Sequence, residues 1–178
     1  MAMCFISERK YEMNAINDIV IREMLPKEYP LMEDIMYEAV YQPDPSNPYP
    51  KDVIYLQQVR IYWDNWGAEK DDHCLVACVD NKIAGVVWVR TFQGKLRGYG
   101  YIDGQTPELA IAMFEEYRNK GIGTLLMNRM IELLQAKGYP RVSLSITKGN
   151  PAIRLYERLG FKVIDENKED YIMLLGLV

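Results

Sequence analysis

The segment from Glu108 to Thr124, ELAIAMFEEYRNKGIGT, reads as a strand that passes through a turn into a helix beginning near Gly121-Ile122-Gly123-Thr124. The first turn of a helix has unpaired backbone N–H groups and the positive end of the helix dipole. Glycines let an anion approach that backbone closely. Arg118 and Lys120 flank the turn and can add charge-assisted hydrogen bonds. The chemistry this suits is the binding of a pyrophosphate. Two other glycine-loop readings fail on spacing. A Walker A loop needs a lysine before Thr124, and a dinucleotide fingerprint needs a third glycine where Leu126 stands. On the glycines alone, a strand-to-helix connection with no ligand remains the alternative.

A second group of residues follows at Lys148-Gly149-Asn150-Pro151, leading into AIRLYERLGF. Asn150 suits a helix N-cap, Pro151 the first helical position and Gly160 the stop. Tyr156 on that short helix is either a proton donor or a core residue with a satisfied hydroxyl. Tyr55, Tyr62, Trp63, Asp64 and Trp66 could stack and pair with an ammonium, or simply pack on a sheet. The chain has one histidine, His73, so a histidine zinc site and a Ser-His-Asp triad are disfavoured. Cys74 and Cys78 sit four apart in one strand, roughly 13 Å, too far to share a disulfide or a metal. No metal site is expected. The sparse cysteines, with Cys4 alone, point to a reducing compartment.

The elements that must position these groups can be read from spacing. Ile16 to Glu23 reads as a strand, Glu28 to Tyr41 and Lys51 to Trp66 as two helices, and the prolines between them as a stiff loop. His73 to Val79 and Ile83 to Phe92 read as a hairpin around Asp80-Asn81-Lys82. Gln93 to Pro107 is a long glycine-bearing loop, and loops of that length are usually functional or mobile. Glu108 to Phe114 is a strand, Gly121 to Lys137 a helix and Arg141 to Ile146 a strand. Pro151 to Leu159 is a short helix, and Phe161 to Ile164 and Tyr171 to Leu175 are closing strands. The order is β-αα-βββ-α-β-α-ββ, which implies an α+β fold with a mixed sheet and helices packed on it.

The chain has 178 residues, 49% apolar and 26% charged, consistent with one domain over 1–178 that needs no staple. Residues 1–14 read as a loose N-terminal extension, with Met13 as an alternative start. The net charge of −4 argues against a general nucleic-acid partner. No stretch approaches the roughly 18 consecutive apolar residues of a membrane helix. A cytoplasmic protein with no membrane partner is the expectation.

Taken together, Arg118-x-x-Gly121-x-Gly123 and the later Asn150, Tyr156 and Leu159-Gly160-Phe161 resemble the GNAT superfamily of N-acetyltransferases. The resemblance covers Val76 to Leu175 well and the first seventy residues only in element order. It implies a mostly antiparallel mixed sheet of about seven strands in an αβα sandwich. It implies acetyl-CoA as co-substrate. Backbone groups of Ala112, Met113 and Phe114 would pair with the pantetheine arm. Arg118, Asn119, Lys120, Gly121, Ile122, Gly123 and Thr124 would hold the pyrophosphate, and Asn150 would contact the cofactor arm. Tyr156 would protonate the leaving thiolate, and a backbone N–H near Met113 would stabilise the oxyanion. The amine needs a base, and Glu108 is the nearest match, ahead of His73 and Asp103. A surface carboxylate at a strand start is the equal alternative for Glu108.

Two positions depart from the family's habit: Glu115 stands where many members have proline, and Asn119 where many have glycine. The implied function is direct acetyl transfer to a primary amine, on a small molecule or a peptide, in a ternary complex. The competing reading is a non-catalytic acyl-CoA sensor. Homodimers are common in the family, and the apolar run Met173 to Val178 suits either an interface or an inner strand.

Overall fold

The computed structural model describes residues 19–178. The loose extension to Asn14, the start at Met13, Cys4 and the opening residues of the first strand lie outside the described residues. Seven strands form one sheet in the order β1-β2-β3-β4-β5-β7-β6. β1 (Val20–Glu23), β2 (His73–Val79), β3 (Lys82–Arg90) and β4 (Glu108–Met113) run antiparallel to one another. The β2–β3 hairpin turns on Asp80 and Asn81, at φ 49° and 62°. Both are left-handed, which aspartate and asparagine tolerate and a two-residue hairpin of this twist requires.

β5 (Arg141–Thr147) is parallel to β4, and the two pair at one register position, Glu108 opposite Ser143. The Ser143 N–H donates to the Pro107 carbonyl at 3.0 Å. Beyond that point the two strands do not pair, so the sheet is split between β4 and β5. β7 (Asp170–Gly176) lies between β5 and β6 (Lys162–Glu166). The apolar C-terminal run is therefore an inner strand, with Met173 fully buried.

One face of the sheet is covered by α3 (Ile122–Ala136) and α4 (Ile153–Arg158). Leu126, Met127, Met130 and Leu134 recur at helical spacing and are completely buried against Val87, Val89 and Leu144. The other face carries α1 (Met32–Ala39) and α2 (Gln57–Arg60), with Met32, Ile35, Ile54 and Trp88 in a second core. The result is the expected helix–sheet–helix sandwich.

The second helix expected from Lys51 to Trp66 is not continuous. It is a 3₁₀ turn over Lys51–Tyr55, the single turn of α2 and irregular turns beyond. Leu56 breaks it with extended backbone, φ −56° and ψ 132°. In an unbroken helix the Ile54 carbonyl would accept from the backbone N–H of residue 58. Here it accepts instead from the Trp63 indole N–H at 3.1 Å. Val59 and Tyr62 still reach the core, but Leu56 points out at 59% exposure.

Candidate active site

Glu108 opens β4 on the face that carries α1 and α2, and it is 2% exposed. The surface-carboxylate alternative is thereby overturned. The Tyr62 hydroxyl donates to Glu108 Oε1 at 2.5 Å, and the Gly100 N–H donates to the same oxygen at 2.7 Å. Tyr62 in turn accepts from the Tyr99 N–H at 2.6 Å, and the two tyrosine rings stack with their planes 10° apart. Oε2 has no hydrogen-bond partner among the described residues, and neither has the buried Ser143 Oγ on the paired strand. Burial raises the Glu108 pKa from 4.5 to about 7, against the opposing hydrogen bonds from Tyr62 and Gly100. A carboxyl poised there exchanges protons near neutrality.

The loop from Gln93 to Pro107 seals this carboxylate, and its glycines are what allow it. A Cβ on Gly98 would lie 1.9 Å from Oε2. One on Gly100 would lie 2.6 Å from the Leu144 backbone. The length of this loop suits a functional or a mobile segment, and nothing in the sequence announces its contact with Glu108. Nor does the sequence announce the role of Tyr62, an aromatic that it leaves open as ammonium wall or packing residue. The Gly98-x-Gly100 spacing was the available signal for a close backbone approach.

The split beside β4 leaves backbone groups without strand partners. The Phe114 N–H donates to the Ala84 carbonyl at 3.1 Å, toward β3. Backbone direction alternates along an antiparallel strand, so Ala112 also faces β3 while Ile111 and Met113 face the split. Of the trio Ala112, Met113 and Phe114, only Met113 thus presents its backbone there, and Ile111 joins it. The Met113 carbonyl also accepts from the Arg118 Nε–H at 2.9 Å.

At the end of β4 the chain makes a 3₁₀ turn, Glu115–Tyr117, and enters α3. Both glutamates are exposed to solvent. Asn119 has φ 60°, the left-handed region, which asparagine enters more readily than most residues, so the departure from glycine is tolerated. Gly121 has φ 80° and open space where a Cβ would stand. The N–H groups of Ile122, Gly123 and Thr124 have no acceptor among the described residues. Arg118, Asn119 and Lys120 are exposed around this turn. Arg118 also reaches Glu38 at 3.3 Å, and Lys120 lies over the Tyr117 ring. Free amides, a left-handed glycine and two cations fit a pyrophosphate, and the unpaired edge of β4 fits an extended amide-bearing arm.

α4 closes the split from the β5 side. A Cβ on Gly123 would touch Leu155, Ile111 and Met113 at 3.8–3.9 Å, so the three elements converge at the start of α3. Asn150 Oδ1 accepts from the Ala152 N–H at 3.0 Å and caps the turn into α4, which leaves its amide N–H₂ unengaged. The Tyr41 hydroxyl reaches the neighbouring Gly149 carbonyl at 3.3 Å. Tyr156 is buried against Phe161, and its hydroxyl has no partner among the described residues. Burial raises its pKa to about 12, so it holds its proton at any working pH.

The weaker base candidates are elsewhere engaged. Asp103 pairs with Arg141 at 2.5 Å and accepts from Gln105 and Thr106, which hold its pKa below the usual carboxylate range. His73 lies on β2, two strands from β4, beside the Tyr139 hydroxyl at 3.4 Å. Of the other aromatics, Trp66 is buried under Arg90, whose guanidinium forms a bidentate pair with Asp72 at 2.7 Å. Asp64 pairs with Arg60. A cleft of about 380 Å³ between α1, Lys51, Ile83 and Phe114 lies at the far end of β4 and does not include Glu108. No cluster of metal-ligating side chains occurs among the described residues.

The acetyltransferase (GNAT) family model matches residues 34–161, the stretch that holds the single-residue join between β4 and β5, the open strand edge and the glycine-led helix start. The chain belongs to the GNAT family. It is by that membership an acetyl-CoA-dependent N-acetyltransferase. The GNAT chain is 25% identical over 157 residues to the L-amino acid N-acetyltransferase AaaT of Escherichia coli, covering 86% of this chain and 89% of that one. Its fold is shared by a PaiA N-acetyltransferase from Thermoplasma acidophilum in complex with coenzyme A. That likeness has TM-score 0.65 at 20% identity, over 90% of this chain and 99% of that one. The yncA acetyltransferase of Salmonella typhimurium with acetyl-CoA is similar at TM-score 0.64 and 19% identity, over 91% and 95% of the two chains. No helix among the described residues is long and apolar enough to cross a membrane.

Proposed function

We propose that this GNAT domain acetylates a primary amine by direct attack in a ternary complex, with Glu108 as general base and Tyr156 as general acid. The observation that carries the reading is a buried carboxylate with one free oxygen at the root of the β4–β5 split. When bound, acetyl-CoA supplies a thioester carbonyl open to attack. Ile111 and Met113 offer backbone groups to its arm. Arg118, Asn119, Lys120 and the amides from Gly121 to Thr124 hold its pyrophosphate, and the free Asn150 amide contacts the arm.

Most amines are protonated at neutral pH, and only the neutral amine attacks. Glu108, with its pKa raised to about 7, takes that proton at Oε2. Tyr62 and the Gly100 N–H hold Oε1 and so fix the direction of Oε2. Tyr156 keeps its proton for the departing sulfur. Relatives bear names that specify a free amino acid or a ribosomal-protein alanine as acceptor, and both acceptors present a primary amine.

The reading is tested by thermal unfolding with acetyl-CoA or ATP, followed by thiol release with an amine panel. A ligand at 100 times its Kd stabilises by roughly 2.7 kcal/mol. A shift with acetyl-CoA but not ATP, and amine-dependent thiol release, is the expected result. A shift without release from any amine would instead describe a sensor.

A further inference from the structure

The loop that seals Glu108 carries two cations, Lys95 and Arg97, that form no ion pair among the described residues. Arg97 is nonetheless held in place. Its guanidinium lies 4.5 Å from the centroid of the Tyr101 ring. Its backbone carbonyl accepts from the Gln58 side chain, which ties the loop to α2. Tyr101 is half-buried against the same core face that carries Ala110, two residues beyond Glu108. The next residue, Gly98, has its backbone directly against Glu108 Oε2. A stacked, exposed guanidinium thus stands one residue from the point where the loop meets the free oxygen of the base.

Guanidinium on an aromatic ring keeps its N–H edges for a bidentate partner and is suited to a carboxylate. The Arg97 Nε–H donates to the Gly94 carbonyl at 3.5 Å, and with no ion pair formed the Nη1/Nη2 edge is left for such a partner. We infer that Arg97 anchors a carboxylate on the acceptor, so that the acceptor is an amine that is also a carboxylic acid, an amino acid. The ammonium end then faces Glu108 while the acid end faces Arg97. This rests on Glu108 acting as the base.

Thiol release is measured with L-amino acids, each paired with its carboxamide and with the amine left by removing the carboxylate, for the unaltered protein, Arg97→Ala and Arg97→Lys. The expected result is a KM at least about tenfold lower for the acids than for the carboxamides, in line with a charge-assisted bidentate contact. That preference collapses in Arg97→Ala and returns in part in Arg97→Lys. Equal use of acids and carboxamides, preference for diamines, or an Arg97→Ala loss that falls equally on acid and carboxamide would each overturn the assignment while leaving acetyl transfer intact. Absence of thiol release with every amine would overturn the acetyl-transfer reading, and this assignment with it.

Discussion

Tyr156 and Glu108 are both buried, yet burial serves opposite ends. Removing each from water disfavours its anion, which makes the phenol a firmer proton holder and the carboxyl a better base. Tyr156 lacks a hydrogen-bond partner, so its hydroxyl has no structural work to lose. Tyr156→Phe should therefore lower kcat by about 10²–10⁴-fold with little change in stability, as expected for loss of a general acid. Unaltered turnover with unaltered acetyl-CoA affinity would remove it from the mechanism. Both positions were legible in the sequence as candidates through the family resemblance. The environment of Glu108 was not, because Tyr62 reaches it across 46 positions of chain and Gly98 and Gly100 act by having no side chain.

At the scale of elements, the strand and helix borders that spacing predicts for β2, β3, β5 and α3 lie close to those observed. Each has an apolar pattern long enough to outweigh local alternatives. The Lys51–Trp66 segment has such a pattern too, and still breaks at Leu56. There a tertiary bond, Trp63 indole to the Ile54 carbonyl, replaces a helical one, and no periodicity reports that exchange.

The start of α3 depends on backbone conformation alone. Gly121 has a left-handed φ and no neighbour within 4 Å of a Cβ, so Gly121→Ala tests strain without a clash. It should cost roughly 1–2 kcal/mol in denaturant unfolding and raise KM for acetyl-CoA. An unchanged midpoint and KM would mean that the turn is not held in this conformation. Arg118→Ala offers the complementary change, weaker acetyl-CoA binding with the backbone intact.

For the whole molecule, Glu108 ties stability to pH. Its folded pKa of about 7 lies above the ordinary 4.5, so the fold favours the neutral form. That contribution is complete below pH 4.5 and is lost as pH rises through about 7. The difference corresponds to roughly 3 kcal/mol. Glu28 acts in the other direction, because the Arg22 guanidinium holds its pKa to about 2, and its contribution fades as pH falls below 4.5. Glu108→Gln should accordingly be more stable than the unaltered protein at pH 9 and no more stable at pH 4, by thermal unfolding at both. A gap that does not change with pH would place Glu108 in water.

That same carboxylate carries the central claim, and the pH dependence of kcat/KM for an accepted amine tests it most directly. The unaltered protein should show activity rising through an ionisation near pH 7. Glu108→Gln should lose at least about 10²-fold in kcat/KM and with it that acidic limb, while its acetyl-CoA thermal shift persists. A Glu108→Gln variant with undiminished activity and the same acidic limb would contradict the account.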